Sequence, residues 1–65
     1  MEELQLLKPE DVAKRLKVAR VTVYKWARKG VLPYYKLEGS VRFKVEDVKD
    51  FTEARRVERG FTRDI

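Results

Sequence analysis

Arg20, Lys25 and Arg28 recur at helical spacing with Val21, Thr22 and Tyr24 set among them, and no acidic residue falls between Asp11 and Glu38. On a wheel of about 100° per residue, Val21, Lys25 and Arg28 lie within about 40° of the pole opposite Val23. Tyr24 takes one flank and Thr22 and Lys29 the other. Such a face offers guanidinium, ammonium, hydroxyl and phenol donors, two of them permanently cationic. That is the equipment of a surface that grips a polyanion. Catalysis fits the residue types poorly. The chain has no histidine and no cysteine, which removes disulfides, thiolate nucleophiles and the usual zinc ligands. Its acids form no pair in an evident pocket, since Glu46 and Asp47 fall where a helix starts and the helix dipole accounts for them. No catalytic residue, no cofactor and no metal site is expected.

Holding that face outward requires a scaffold on both sides of it. Pro9 suits the first position of a helix, and Glu10 and Asp11 follow in the turn whose dipole favours acids. Val12, Ala13 and Leu16 then give the stripe of a short helix ending near Leu16 or Lys17. Leu4, Leu6 and Leu7 precede it, with Leu7 placed to close on Val12 as a hydrophobic staple. Lys17, Val18 and Ala19 form a break in which Val18 is the apolar plug. A second helix over about 20–29 turns Val23, Trp26, Ala27 and Gly30 inward, and Lys29 and Gly30 make its end.

Residues 34–37 and 41–44 are β-prone, and Glu38, Gly39 and Ser40 between them predict a hairpin. Alternation sets Tyr35 and Leu37 on one face with Val41 and Phe43, leaving Tyr34, Lys36, Arg42 and Lys44 on an opposite, basic face. A third helix runs from Val45 to about residue 59, with Val48 and Phe51 facing the core. The expected fold is therefore mostly α with a small β-hairpin, one domain over 1–54 and a charged, flexible tail over 55–65 whose Phe61 and Ile65 could anchor a partner.

A chain of 65 residues hides only about 60% of its unfolded surface on folding, which leaves room for one core. The net charge is +5, distributed as −1 over 1–8, +7 over 9–44, −3 over 45–54 and +2 over 55–65. The positive field thus belongs to the two central helices and the hairpin. No run of eighteen apolar residues occurs and the N-terminus is acidic, so the chain reads as soluble and cytoplasmic, with no membrane partner and no evident small-molecule ligand.

The stretch LLKPEDVAKRLKVARVTVYKWARKGVLP followed by YKLEGSVRFKVEDVKDF resembles the excisionase-family and MerR-like winged helix-turn-helix DNA-binding domain. The resemblance covers about residues 6–51, and its specific parts are Thr22-Val23-Tyr24-Lys25, Gly30-Val31-Leu32-Pro33, Arg42-Phe43 and Glu46-Asp47. The departures are Lys8 for a capping Thr, Lys17 for Gly and Ala19 for Ser. None of them removes a basic residue.

The resemblance implies binding of double-stranded DNA, with the second helix in the major groove and the hairpin wing along the backbone or minor groove. Arg20, Val21, Lys25 and Arg28 are then the residues expected at the groove. Thr22, Tyr24, Lys36, Arg42 and Lys44 are left for phosphate and sugar. The chain is expected to be a monomer in solution that assembles cooperatively on DNA. An excisionase-like recombination accessory factor and a small transcription regulator both suit it, as does the DNA-binding portion of a longer recombinase or transposase. A protein-interaction adaptor is the rival of a different class, and exposed apolar anchors in place of the cationic face would mark it.

Overall fold

The computed structural model describes residues 5–58, and the expectations for Leu4, Phe61 and Ile65 lie outside them. In chain order the elements are β1 (Leu6–Leu7), α1 (Pro9–Leu16), α2 (Arg20–Arg28), β2 (Tyr35–Leu37), β3 (Ser40–Lys44) and α3 (Val45–Ala54). The first helix begins on Pro9 as expected, with no side-chain acceptor at Lys8. Its start is held from the other direction. The Lys8 backbone N–H donates to the Asp11 carboxylate at 3.1 Å, one half of a reciprocal capping box.

Both helices of the central pair end in the same way. After α1, the Lys17 N–H donates to the Lys14 carbonyl and the Val18 N–H to that of Ala13. After α2, Gly30 donates to Ala27 and Val31 to Trp26. Each is the paired closure of a Schellman motif, which needs a left-handed residue at its centre. Gly30 supplies it at φ 79° and Lys17 supplies it at φ 56°. The break after α1 is thus a sharp turn made without glycine. Gly30 itself is exposed; placing it inward on the helical wheel fails because the chain leaves the helix at Lys29.

The leucines before α1 do more than pack. Leu6 and Leu7 pair antiparallel with Lys44 and Phe43, making a third strand, and the sheet order is β1-β3-β2. The Val45 N–H at the start of α3 donates to the Gln5 carbonyl at 3.1 Å, so this strand also satisfies one of the amides that a helix start leaves unpaired.

The hairpin corrects the expected alternation. Its loop is two residues, with Glu38 at φ 50° and Gly39 at φ 90°, the doubly positive geometry of a type I′ turn whose twist matches the strands. Ser40 belongs to β3, and the pairs are Tyr35 with Arg42, Lys36 with Val41 and Leu37 with Ser40. Opposed residues share a face. Shortening the loop by one residue therefore turns every β2 side chain over. Lys36 joins Val41 and Phe43 on the inner face, while Tyr35 and Leu37 go outward with Arg42. Tyr34 follows Lys36 inward, its ring 6.4 Å from that of Phe43.

The core contains Val12 and Ala13 of α1, Val23 and Ala27 of α2, Leu32, Phe43 of β3, and Val48 and Phe51 of α3. Leu7, Leu16, Val18, Trp26 and Val41 pack around it, which puts Leu7 and Val12 in one cluster as the staple requires. Helix α3 stops at Ala54 rather than near residue 59. There the Arg55 guanidinium folds back, donating to the Phe51 carbonyl at 3.1 Å and lying 3.8 Å over the Phe51 ring. Phe51 in turn meets Trp26 of α2 at 4.8 Å between ring centres. Arg55, the first residue of the predicted tail, is part of the folded unit. No helix among the described residues is long and apolar enough to cross a membrane.

Candidate nucleic-acid interface

Helix α2 is anchored by Val23 and Ala27, both buried, with Trp26 half-buried on Phe51. This fixes what points away from the core. Arg20, Val21, Lys25 and Arg28 are exposed, while Thr22 and Tyr24 are half-buried on the flanks. Val21, Lys25 and Arg28, spaced by four and three residues, form one row along the outward face. No acid is present in the first turn of the helix, and its N-cap, Ala19, offers no side-chain acceptor. No first-turn acid of α2 therefore offsets the positive end of its dipole, beside which Arg20 is exposed.

Two clefts link α2 to its neighbours. The smaller, about 160 Å³, lies between the second half of α2 and the hairpin and is lined by Tyr24, Arg28, Tyr34 and Lys36 with Ala27 and Val41 at its base. It joins two cations and two phenols around a shallow opening, which suits a phosphate oxygen and its sugar. The larger, about 430 Å³, lies where the start of α1 meets the turn of the hairpin, with Lys8, Glu10, Tyr24, Ser40 and Arg42 on its walls. Within it the Arg42 guanidinium donates to the Val41 carbonyl at 2.8 Å, which holds the side chain against its own strand.

Tyr24 borders both clefts, so it sits at the junction of α1, α2 and the wing. The structure therefore brings together Tyr24, Arg28 and Lys36 on one side and Tyr24 and Arg42 on the other. Lys44 stands apart. It pairs with Leu6, precedes the first residue of α3 and lines neither cleft. Arg42 and Lys36, placed on one basic face by the alternation, occupy opposite faces of the hairpin.

Tyr34 and Lys8 line the clefts and were not among the predicted contacts. Tyr34 shares a face with Lys36 in the alternation too, and the two-residue turn of Glu38-Gly39 is what sets that face on the side of Val41 and Phe43. Lys8 appears in sequence only as a poor cap, and no local signal places it beside Arg42.

Cations predominate across this surface, with Glu10 the acid on the wall of the larger cleft. Among the described residues the ion pairs are those of Arg56, with Glu53 at 3.7 Å and Glu58 at 3.6 Å, at the far end of α3. The cations of α2 and the wing have no carboxylate partner there. The described residues contain no cluster of acids that could hold a metal ion.

The chain matches the helix-turn-helix domain family over residues 6–56. A segment of 42 residues is 45% identical to the uncharacterized protein YvgK of Bacillus subtilis (strain 168), covering 65% of this chain and 14% of that protein. No solved structure matches. A short turn between α1 and α2, a cationic outward face on α2, a two-stranded wing and a family match that spans every element agree on one assignment. The chain belongs to the helix-turn-helix domain family and is a winged helix-turn-helix DNA-binding domain.

Proposed function

We propose that α2 enters the major groove of double-stranded DNA and that the wing follows the adjacent backbone, in the service of recombination or transcription control. The observation that carries this reading is the row of Val21, Lys25 and Arg28 on an outward face free of acids, flanked by the cleft of Tyr24, Arg28, Tyr34 and Lys36. Arg20, Lys25 and Arg28 reach base edges or the phosphates beside them, with guanidinium groups suited to guanine. Thr22, Tyr24, Lys36 and Arg42 hold the register through phosphate and sugar, with Lys44 a more distant cation. The cationic face favours DNA over an adaptor role, because an adaptor needs apolar anchors where these cations stand.

A single module of this size makes a small interface, so occupancy draws on neighbouring copies. The protein acts as a monomer in free solution that gathers on repeated sites, as an excisionase-like accessory factor or small regulator does. The chain spans 14% of the relative it matches, and the same domain also serves as the DNA-reading part of a longer recombinase or transposase.

The test is a titration of duplex DNA at several salt concentrations. With about five to seven phosphates contacted, log K falls against log salt with a slope of about −4 to −6. Lys25→Ala and Arg28→Ala each weaken binding about ten-fold or more, within the range of about 1–3 kcal/mol for a specific contact. Binding that barely responds to salt, or that survives both substitutions, removes the proposal. On duplexes with repeated selected sites the binding curve steepens, whereas on a single site it does not.

A further inference from the structure

Val21 is the most exposed large apolar side chain of the elements around the site, at 65%, and it stands in the second position of α2 between Arg20 and Lys25. Nothing in the fold explains it. It reaches no core residue, since the inward side of α2 belongs to Val23 and Ala27, and a β-branched residue is a mediocre helix former at an exposed position. A polyanion-gripping face has no electrostatic use for it either. In the helix-turn-helix docking that the reading proposed above adopts, residues at the N-terminal end of the groove helix meet base edges. The other edge groups in the major groove are hydrogen-bond donors and acceptors, for which an isopropyl group offers nothing; its one apolar feature is the methyl at C5 of a pyrimidine.

We infer that Val21 is a specificity-determining residue that recognises the C5-methyl group of a pyrimidine. The ligand chemistry is the methyl and not the base-pairing edge, so thymine and 5-methylcytosine both present it, while uracil and cytosine both lack it. The row Val21, Lys25, Arg28 then pairs one apolar contact with two cationic ones on the same helix face. This gives the domain sensitivity to cytosine methylation at the position where Val21 sits.

The inference rests on major-groove binding by α2, and its test is built to separate the two. Sites are first selected from a random duplex pool with the wild-type chain. Thymines in the selected site are then replaced one at a time by uracil, by cytosine paired with guanine, and by 5-methylcytosine paired with guanine. At one thymine, uracil weakens binding about four-fold, the equivalent of about 0.8 kcal/mol for one buried methylene-sized group at about 1.4 kcal/mol per decade. At the same position 5-methylcytosine binds more tightly than cytosine by a similar factor.

Val21→Ala abolishes both differences, which are read as affinity ratios between duplexes so that any overall loss of binding cancels, and the exposed site and better helix propensity of alanine protect the fold. If the wild type selects a site but no thymine shows the uracil effect, the inference fails and the DNA reading stands. The same holds if Val21→Ala keeps the discrimination intact. If no duplex is bound at low salt, the DNA reading itself fails and takes the inference with it.

Discussion

At the scale of single residues, the turn that sets α2 against α1 is built from side chains that do not favour it. Lys17 holds φ 56° where glycine is the usual occupant, and a β-carbon in the left-handed region costs about 1–2 kcal/mol. Ala19 is the N-cap of α2 in extended geometry, with φ −72° and ψ 149°, and has no oxygen to accept from the helix amides. Val18, packed against the core between them, holds the turn from within. Lys17→Gly is therefore expected to raise stability by about 0.5–1 kcal/mol, the relief of the β-carbon less the entropy glycine loses. Ala19→Ser should add about 1 kcal/mol by capping. Because the two share one turn, their effects couple and the double variant need not equal the sum. Urea denaturation followed through the single tryptophan, Trp26, measures all three. A fall in midpoint for Lys17→Gly would mean that its side chain makes a contact worth more than the strain.

At the scale of elements, the helices and the presence of the wing were legible, and the register of the wing was not. Pro9 followed by two acids, the apolar pairs of α1 and α2, and the glycine after Lys29 each encode a local choice that packing then respects. The hairpin carried two conflicting cues. Glu38, Gly39 and Ser40 all suit a loop, and only the requirement for positive φ at both central residues separates a two-residue turn from a three-residue one. Strand β1 was unreadable for a different reason: two residues are too few to show a period, and their pairing with β3 is a long-range fact. The consequence reaches the site, since the register decides which wing cation faces α2. Lys36 lines the cleft with Arg28 and Tyr24, whereas Lys44 sits at the start of α3. Lys36→Ala is thus expected to weaken duplex binding across all sequences and to reduce the salt slope by about one. Lys44→Ala should leave both nearly unchanged, apart from the small effect of a distant screened charge. Equal losses from the two substitutions would mean that DNA extends along β3 as far as the start of α3.

At the scale of the whole molecule, a small core and a cationic surface are linked through folding itself. Phe43 is fully buried and carries the inner face of the sheet, with the start of α3 two residues on and Tyr34 against its ring. A chain of this length has about 3–10 kcal/mol of stability in total, with small domains toward the lower end. Truncating a buried phenylalanine to alanine costs about 3–5 kcal/mol, so Phe43→Ala should leave the chain largely unfolded in dilute buffer. The interface lies entirely on the folded form, because Val21, Lys25 and Arg28 share a face only when α2 exists and Lys36 joins them only when the hairpin is in register. Duplex DNA at about a hundred times its dissociation constant should then return about 2.7 kcal/mol to the folded state. That is comparable to the loss, and Trp26 emission together with helical circular dichroism should recover on titration. An unfolded chain of +5 net charge also attracts DNA, and this competition reduces the recovery. The control is Phe43→Ala combined with Lys25→Ala and Arg28→Ala, which keeps part of the non-specific attraction but loses the assembled face. Recovery of helix in the single variant and none in the triple would tie folding to the α2 surface. Equal recovery in both would mean that charge alone drives the ordering and that the face contributes nothing specific to it.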